Sequence, residues 1–225
     1  MKLKYFGHSA FQVTTNSNIK ILIDPFIDEN PNSVVKAKDL TADYIILSHG
    51  HGDHIGDAFY IAQKIKTIFI CVNELANYCI HKGFKAHNMH IGGGHDFDFG
   101  RVKFTIAHHG SMTPDGTYAG EPAGIILSIE GKNIYHTGDT GLFYDMKLIG
   151  EMTLIDYMLL PIGDNFTMGI TDAAKAVELV NPKVAIPMHY STFPIIKADP
   201  DEFKSIIEKA GFNCRVMNYG EEITL

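Results

Sequence analysis

Two β-sheets packed together, with helices covering their outer sides, form the architecture that this 225-residue sequence predicts. Three observations lead to it. Both halves of the chain carry short apolar runs bounded by turn residues, the pattern of strands. Helical periodicity is interleaved with those runs in each half. No Pro/Gly/Ser-rich stretch or block of like charge divides the chain, so residues 1–225 read as one domain.

Leu3 to Phe6, Ala10 to Thr14 and Ile19 to Ile23 read as an antiparallel meander, with Thr15-Asn16-Ser17-Asn18 as a turn. Tyr44 to Leu47 is a buried strand. From Ile55 the pattern turns helical, with Ile55, Ala58, Phe59, Ala62 and Ile65 on one face. Thr67 to Val72 is a strand, Glu74 to His81 a short helix, and Val102 to Ala107 a strand that ends at His108-His109-Gly110. Gly124 to Ile129 and Ile134 to His136 flank the turn Glu130-Gly131-Lys132-Asn133. Leu154 to Leu160 is a strand ending at Pro161. Thr171 to Val180 is a helix with Ala174, Val177 and Val180 on one face, stopped by Asn181-Pro182. Val184 to Met188 is a strand ending at His189. Asp199 to Ala210 is the best-marked helix: Asp199 caps it, Pro200 takes the first position, Glu202 completes a capping box and Gly211 ends it. Phe203, Ile206, Ile207 and Ala210 would form its buried face.

Composition narrows the function. A formal net charge of −7 disfavours nucleic acid as a partner. No apolar run is long enough for a membrane span, and Met1 to His8 lacks the apolar core of a signal peptide. Cys71, Cys79 and Cys214 form an odd set without a C-x-x-C, which fits buried thiols in a reducing cytoplasm. The expected partner is a small-molecule substrate, and self-association as a homo-oligomer stays open.

The chemistry gathers at Ser48-His49-Gly50-His51-Gly52-Asp53-His54. A His-rich tract can be an accident of a polar loop, but this one follows an apolar strand and precedes a helical pattern. Imidazole and carboxylate are ligands for zinc and its first-row neighbours. Four such residues within six positions exceed what one tetrahedral ion needs, so the spacing suggests two ions side by side. Further strands end at His108-His109, at Asp139 shortly after His136, and at His189, and strand ends on one rim of a sheet can converge.

The order H-x-H-x-D-H at His49 to His54, a lone His, Gly138-Asp139-Thr140, and a late His189 resembles the metallo-β-lactamase superfamily. The phrases Gly7-His8-Ser9, Ile23-Asp24-Pro25-Phe26, Leu160 to Gly169 and Pro187-Met188-His189-Tyr190 resemble one subfamily of compact bacterial and archaeal metal-dependent hydrolases. The resemblance covers nearly the whole chain. It implies a four-layer αββα sandwich, an α/β fold with its site along one edge of the sheets. It implies two divalent metal ions, with Zn2+ as the default and Mn2+, Ni2+ or Fe2+ as other occupants. His49, His51 and His109 would hold the first ion; Asp53, His54 and His189 the second; Asp139 would bridge both. Strict alternation along Val102, Phe104 and Ile106 would turn His108 inward, whereas the Ala107-His108-His109 phrase favours His109.

The implied activity is hydrolysis by a bridging hydroxide that attacks an ester, lactone, amide or phosphodiester. Asp53 would also orient or receive the proton of the attacking water. Asp24 is either a turn carboxylate before Pro25 or, as the resemblance favours, an acceptor that fixes the tautomer of a ligand histidine. His8 is either polar decoration or a residue at the cleft. Asn165 and Thr167 would contact substrate or satisfy their loop; Phe166, Met168 and Phe193 are pocket wall or core. His81, His87, His90, His95 and His136 lack ordered spacing and read as structural or surface residues, and Gly92-Gly93-Gly94 as a loop. Two rival classes remain: a di-iron redox protein on the same fold, in which a carboxylate would usually replace His51, and a non-catalytic metal-binding module, which would have lost ligands.

Overall fold

The computed structural model describes residues 1–225. Its strands are β1 (Lys2–Gly7), β2 (Ala10–Thr14), β3 (Lys20–Ile23), β4 (Tyr44–Ile46), β5 (Ile68–Val72), β6 (Lys85–Met89), β7 (Gly94–Phe97), β8 (Gly100–Ile106), β9 (Ala123–Ile129), β10 (Lys132–His136), β11 (Tyr157–Pro161), β12 (Val184–Met188) and β13 (Glu222–Thr224). Its helices are α1 (Gly52–Ile55), α2 (Ala58–Ala62), α3 (Asn73–His81), α4 (Met146–Met152), α5 (Ile170–Val180) and α6 (Pro200–Lys209). One sheet has the order β13-β1-β2-β3-β4-β5-β6 and the other β12-β11-β10-β9-β8-β7.

The predicted meander is present: β1, β2 and β3 pair antiparallel. From β3 through β6 the pairing is parallel: a long loop crosses from β3 to β4, α1 and α2 from β4 to β5, and α3 from β5 to β6. In the second sheet β7 to β10 are antiparallel and β10 to β12 parallel. A two-residue turn joins β9 to β10, with Glu130 at φ 51° and Gly131 at φ 77°, as a type I′ hairpin requires.

Side-chain alternation assigns the layers. In β9, Ile125, Leu127 and Ile129 join the first sheet's Leu3, Phe11, Val13 and Ile23 in one buried cluster. Ile126, between them, joins a second cluster on the outer side with Tyr135, Met158, Leu160 and residues of α4, α5 and α6. Period-two alternation in a buried sheet places neighbours on opposite faces in this way. Helix α3 covers β5 and β6 through Leu75, Ala76 and Cys79. The result is helix, sheet, sheet, helix, the αββα sandwich of the expectation.

Several elements differ from the sequence reading. The helix expected from Ile55 is two short helices, because Gly56 at φ 42° breaks it. A Cβ on Gly56 would lie 2.6 Å from both Pro25 O and Phe26 Cα, so backbone approach demands glycine there. Ile65, beyond the break, is 42% exposed. Ile206 and Ala210 lie outside the buried face of α6, which Phe203 and Ile207 form, and Ala173 and Ala176 are more buried than Ala174 in α5. Asp199 caps α6 through the N–H of Asp201. Strands β6, β7 and β13 were missed. Gly94, assigned to a loop, opens β7, and His87 and His95 sit on β6 and β7 with their rings 4.2 Å apart.

Asp156 clips the parallel part of the second sheet at the end away from His136 and His189. Its carboxylate accepts from the N–H of Asn133 at 2.9 Å and from Lys183 Nζ at 2.7 Å. Burial opposes ionisation, but Lys183 and the Asn133 N–H hold its carboxyl below the usual range. A depressed carboxyl contributes stability above the unfolded pKa, about 4, and loses it as pH falls through the folded value. Asp156→Asn is therefore expected to cost about 1–2 kcal/mol at pH 7, allowing for the exposed Lys183. In urea unfolding at pH 7 and pH 3, the gap from wild type should shrink at the lower pH; an unchanged gap would remove the charge from the explanation.

Candidate metal centre

Strand direction builds the site. Because β2 is antiparallel to both neighbours, β1, β3 and β4 all run the same way. By the same logic β8, β10 and β12 share one direction. His8 follows β1, Asp24 follows β3, His49 to His54 follow β4, His109 follows β8, Asp139 follows β10 and His189 follows β12. Six C-terminal strand ends thus deliver the polar residues to one edge. The backbone N–H of His189 donates to His8 O at 2.9 Å and stitches the sheets together there.

Leaving a strand abruptly forces unusual backbone. His8 (φ 54°), Asp24 (φ 45°) and His189 (φ 53°) all lie in the left-handed region. Non-glycine residues hold that region only when their surroundings fix them.

The ligand-type atoms form three overlapping groups, each with its atoms within 4.8 Å of one another: His49, His51 and His109; His49, His54 and Asp139; and His8, Asp53, His54 and His189. Asp139 stands among them. Its Oδ2 is 3.3 Å from His54 Nε2, 3.6 Å from His109 Nε2 and 2.9 Å from His189 Nε2. The His189 contact lacks hydrogen-bond alignment, and the buried atoms His54 Nε2, Asp139 Oδ1 and both nitrogens of His189 have no hydrogen-bond partner. Buried polar atoms of this kind are costly unless something else satisfies them. Their convergence, with imidazole and carboxylate donors only, fits divalent transition-metal ions.

Hydrogen bonds fix the tautomers. Asp24 is fully buried; its Oδ1 accepts from the Ser48 N–H at 2.8 Å and its Oδ2 from the Ser48 hydroxyl at 2.6 Å. The same Oδ2 accepts from His54 Nδ1 at 2.8 Å, which leaves His54 Nε2 facing the cluster. The Ser48 hydroxyl hydrogen is engaged in its bond to Asp24, so the oxygen accepts from His49 Nδ1 at 2.9 Å and leaves His49 Nε2 facing inward. One carboxylate therefore orients two histidines, one directly and one through Ser48.

His8 Nδ1 accepts from the Thr192 hydroxyl at 2.9 Å, and its Nε2 donates to Asp53 Oδ2 at 3.2 Å. Burial, with the neighbouring His189, pushes the His8 imidazole down to about 4, so it is neutral near pH 7. Burial also lowers His49, His51 and His109. For His54 burial is outweighed by Asp139 and Asp24, which raise it; a metal ion and a proton compete for its Nε2. Burial would raise Asp53 and Asp139, but neighbouring histidines hold both carboxyls well below the usual range.

The structure brings His8, Asp24, His49, His51, Asp53, His54, His109, Asp139 and His189 together. His108 points away: it is exposed and stacks on Phe143 with rings 4.9 Å apart, because β8 ends at Ile106 and alternation stops before the histidines. Asn165 is exposed in the loop between β11 and α5, and the Thr167 hydroxyl donates within that loop to Met168 O at 3.5 Å. Met168 is buried, Phe166 is 54% exposed, and Phe193 stands 5.6 Å from the His8 ring. The sequence reading missed Ser48 and Thr192; His136 is structural, as it expected. His136 donates to Ser9 O at 3.0 Å and accepts from the Gly138 N–H at 3.1 Å, which shapes the turn carrying Asp139. A cleft of about 600 Å³ opens beside Asp53, between Phe26, Phe193 and Pro114.

Comparison with known proteins identifies the family. The model of the beta-lactamase superfamily domain matches residues 2–189. A UPF0173 metal-dependent hydrolase of Bacillus cereus is 51% identical over 232 residues, covering 100% of both chains, and one of Bacillus cytotoxicus is 52% identical with the same coverage. The structure of Igni18, a novel metallo hydrolase from the archaeon Ignicoccus hospitalis, superposes with a TM-score of 0.92 at 41% identity, covering 100% of this chain and 97% of that one. Sequence, fold and full-length similarity agree: the chain belongs to the metallo-β-lactamase superfamily, among its metal-dependent hydrolases.

Proposed function

We propose that the protein is a dinuclear metal-dependent hydrolase of a small-molecule ester, lactone, amide or phosphodiester. The observation that carries this reading is Asp139, whose Oδ2 faces histidines of both the His49-His51-His109 group and the His54-His189 group. His49, His51 and His109 would hold one ion; Asp53, His54 and His189 the other; Asp139 would join them. When bound, two divalent ions lower the pKa of water enough to supply a nucleophile near neutral pH and stabilise the developing oxyanion.

The chain's own residues do the rest. Asp53 borders the cleft with 28% of its side chain exposed, so it can orient the attacking water and receive its proton. His8 holds the Asp53 carboxylate in place through Nε2 and is itself held by Thr192. Asp24 and Ser48 keep His49 and His54 in the tautomers that present Nε2 inward. Phe26, Phe193 and Pro114 give the cleft apolar surface against which a substrate body can pack. Asn165 and Thr167 keep a proposed role as substrate contacts in the loop beside the site.

The direct test is metal content per chain after purification without chelator. About two equivalents of zinc, manganese or nickel are expected. Asp139→Ala should lower that content and reduce hydrolysis by about 10²–10³-fold or more. One equivalent would remove the bridging role; iron with an absorption band that changes on reduction would support redox chemistry instead.

A second expectation concerns orientation. Ser48→Ala leaves His49 Nδ1 without its acceptor, and Asp24→Asn disturbs both histidines at once. Metal affinity, read by competition with a chromophoric chelator, should fall about 10–100-fold in each and further in Asp24→Asn. Unchanged affinity in Ser48→Ala, with native circular dichroism, would mean that packing alone orients His49.

A further inference from the structure

The cleft beside Asp53 has an uneven chemical character. Phe26 and Phe193 stand 6.3 Å apart and form an apolar face next to His8. Besides Asp53, three acidic residues line it, Asp28, Glu29 and Asp57, and no lysine or arginine does. Two of these carboxylates are anchored. Asp57 accepts from the N–H groups of Ile27 and Asp28 at 2.9 and 2.8 Å, and Asp28 accepts from the Ala37 N–H at 2.9 Å. Glu29 is exposed and has no hydrogen-bond or ion-pair partner. The negative charge is thus part of the wall, and nothing in the lining neutralises it.

An opening with low-dielectric walls focuses the field of its charges. Toward the histidine groups the field of bound ions would be positive; at the mouth it is negative. A substrate entering this gradient is oriented with its electron-rich reacting group inward. A second anionic group, left at the mouth, meets like charge on the wall. A cationic group there meets carboxylates, which attract it, beside an apolar surface that Phe26 and Phe193 contribute.

We propose that this cleft selects substrates with an apolar or aromatic body and no negative charge away from the reacting group, preferring cationic over neutral over anionic bodies. The proposal rests on the hydrolase reading for the role of the cleft and adds a substrate class to it. It holds whether the reacting centre is carbonyl or phosphoryl, because the discrimination acts on the distal end.

Three probes of similar size separate the contributions: phenyltrimethylammonium, methyl phenyl sulfone and benzenesulfonate, the last chosen because sulfonate coordinates metals weakly. Each is titrated into the metal-loaded protein and binding is read from the backbone amide shifts of Gly52, Gly56 and Glu29. The cation should bind about tenfold or more tightly than the sulfonate at low salt, with the sulfone between them. The ratio should narrow in about 0.5 M salt. Glu29→Gln should reduce the ratio and Glu29→Lys should reduce it further; the exposed position of Glu29 leaves the fold intact. Equal binding of cation and sulfonate by wild type, or a ratio that neither substitution changes, would overturn the proposal. Binding is read without turnover. Failure to hydrolyse any ester or phosphodiester would therefore count against the hydrolytic mechanism, and an inverted charge preference against this inference alone.

Discussion

The buried carboxylate of Asp24 is the constraint on which the site depends. It lies at the end of β3, in left-handed backbone, with no solvent contact. A carboxylate in that position must find donors, and it finds three: the Ser48 N–H, the Ser48 hydroxyl and His54 Nδ1. Satisfying Asp24 therefore sets two imidazoles, one directly and one through the Ser48 oxygen. The parallel pairing of β3 with β4 makes this possible, because adjacent parallel strands end side by side and bring Asp24 under the loop that starts at Ser48. Topology, burial and tautomer are one argument at this point.

The second sheet meets this arrangement with Asp139 and His189, and the means are again backbone. Gly138 turns the chain out of β10 at φ 63°, and its N–H is held by the buried His136. The N–H of His189 is held by His8 O across the sheets. His49, His54 and Asp53 are thus fixed from behind by side-chain hydrogen bonds, and the turns carrying Asp139 and His189 by backbone ones, as positioning on rigid elements requires.

Much of this was legible in the sequence, for physical reasons that also explain what was not. The His49 to His54 segment stands out because so many ligand-type residues in so short a stretch have few other uses, and strands that end in His or Asp can be read from apolar runs. The polar edge strands could not be. β6 reads Lys85-Ala86-His87-Asn88-Met89 and β7 reads Gly94-His95-Asp96-Phe97, and both are strands only because a neighbour offers a ladder. The break at Gly56 depends on Pro25 and Phe26, thirty residues away, so periodicity alone runs a helix through it. Ser48 and Thr192 were missed for a related reason: a hydroxyl gains its meaning from the partner that the fold supplies, and a serine before a histidine carries no signal by itself. His108 and His109 show the limit of alternation, which fails once the strand has ended.

The same reasoning separates what the centre and the cleft each contribute. The proposed ligand set would specify the chemistry and leave the substrate open. Specificity has to come from side chains free of that duty. At the cleft those are Phe26, Phe193, Pro114 and the carboxylates of Asp28, Glu29 and Asp57. Asp28 and Asp57 also fix the loop after β3 through backbone N–H groups, so their charge cannot be removed without loosening the segment that carries Asp24. Glu29 has no such duty. The negative wall is therefore coupled to the architecture at two positions and adjustable at one, and charge selection at this cleft would be tuned through Glu29 with the metal centre undisturbed.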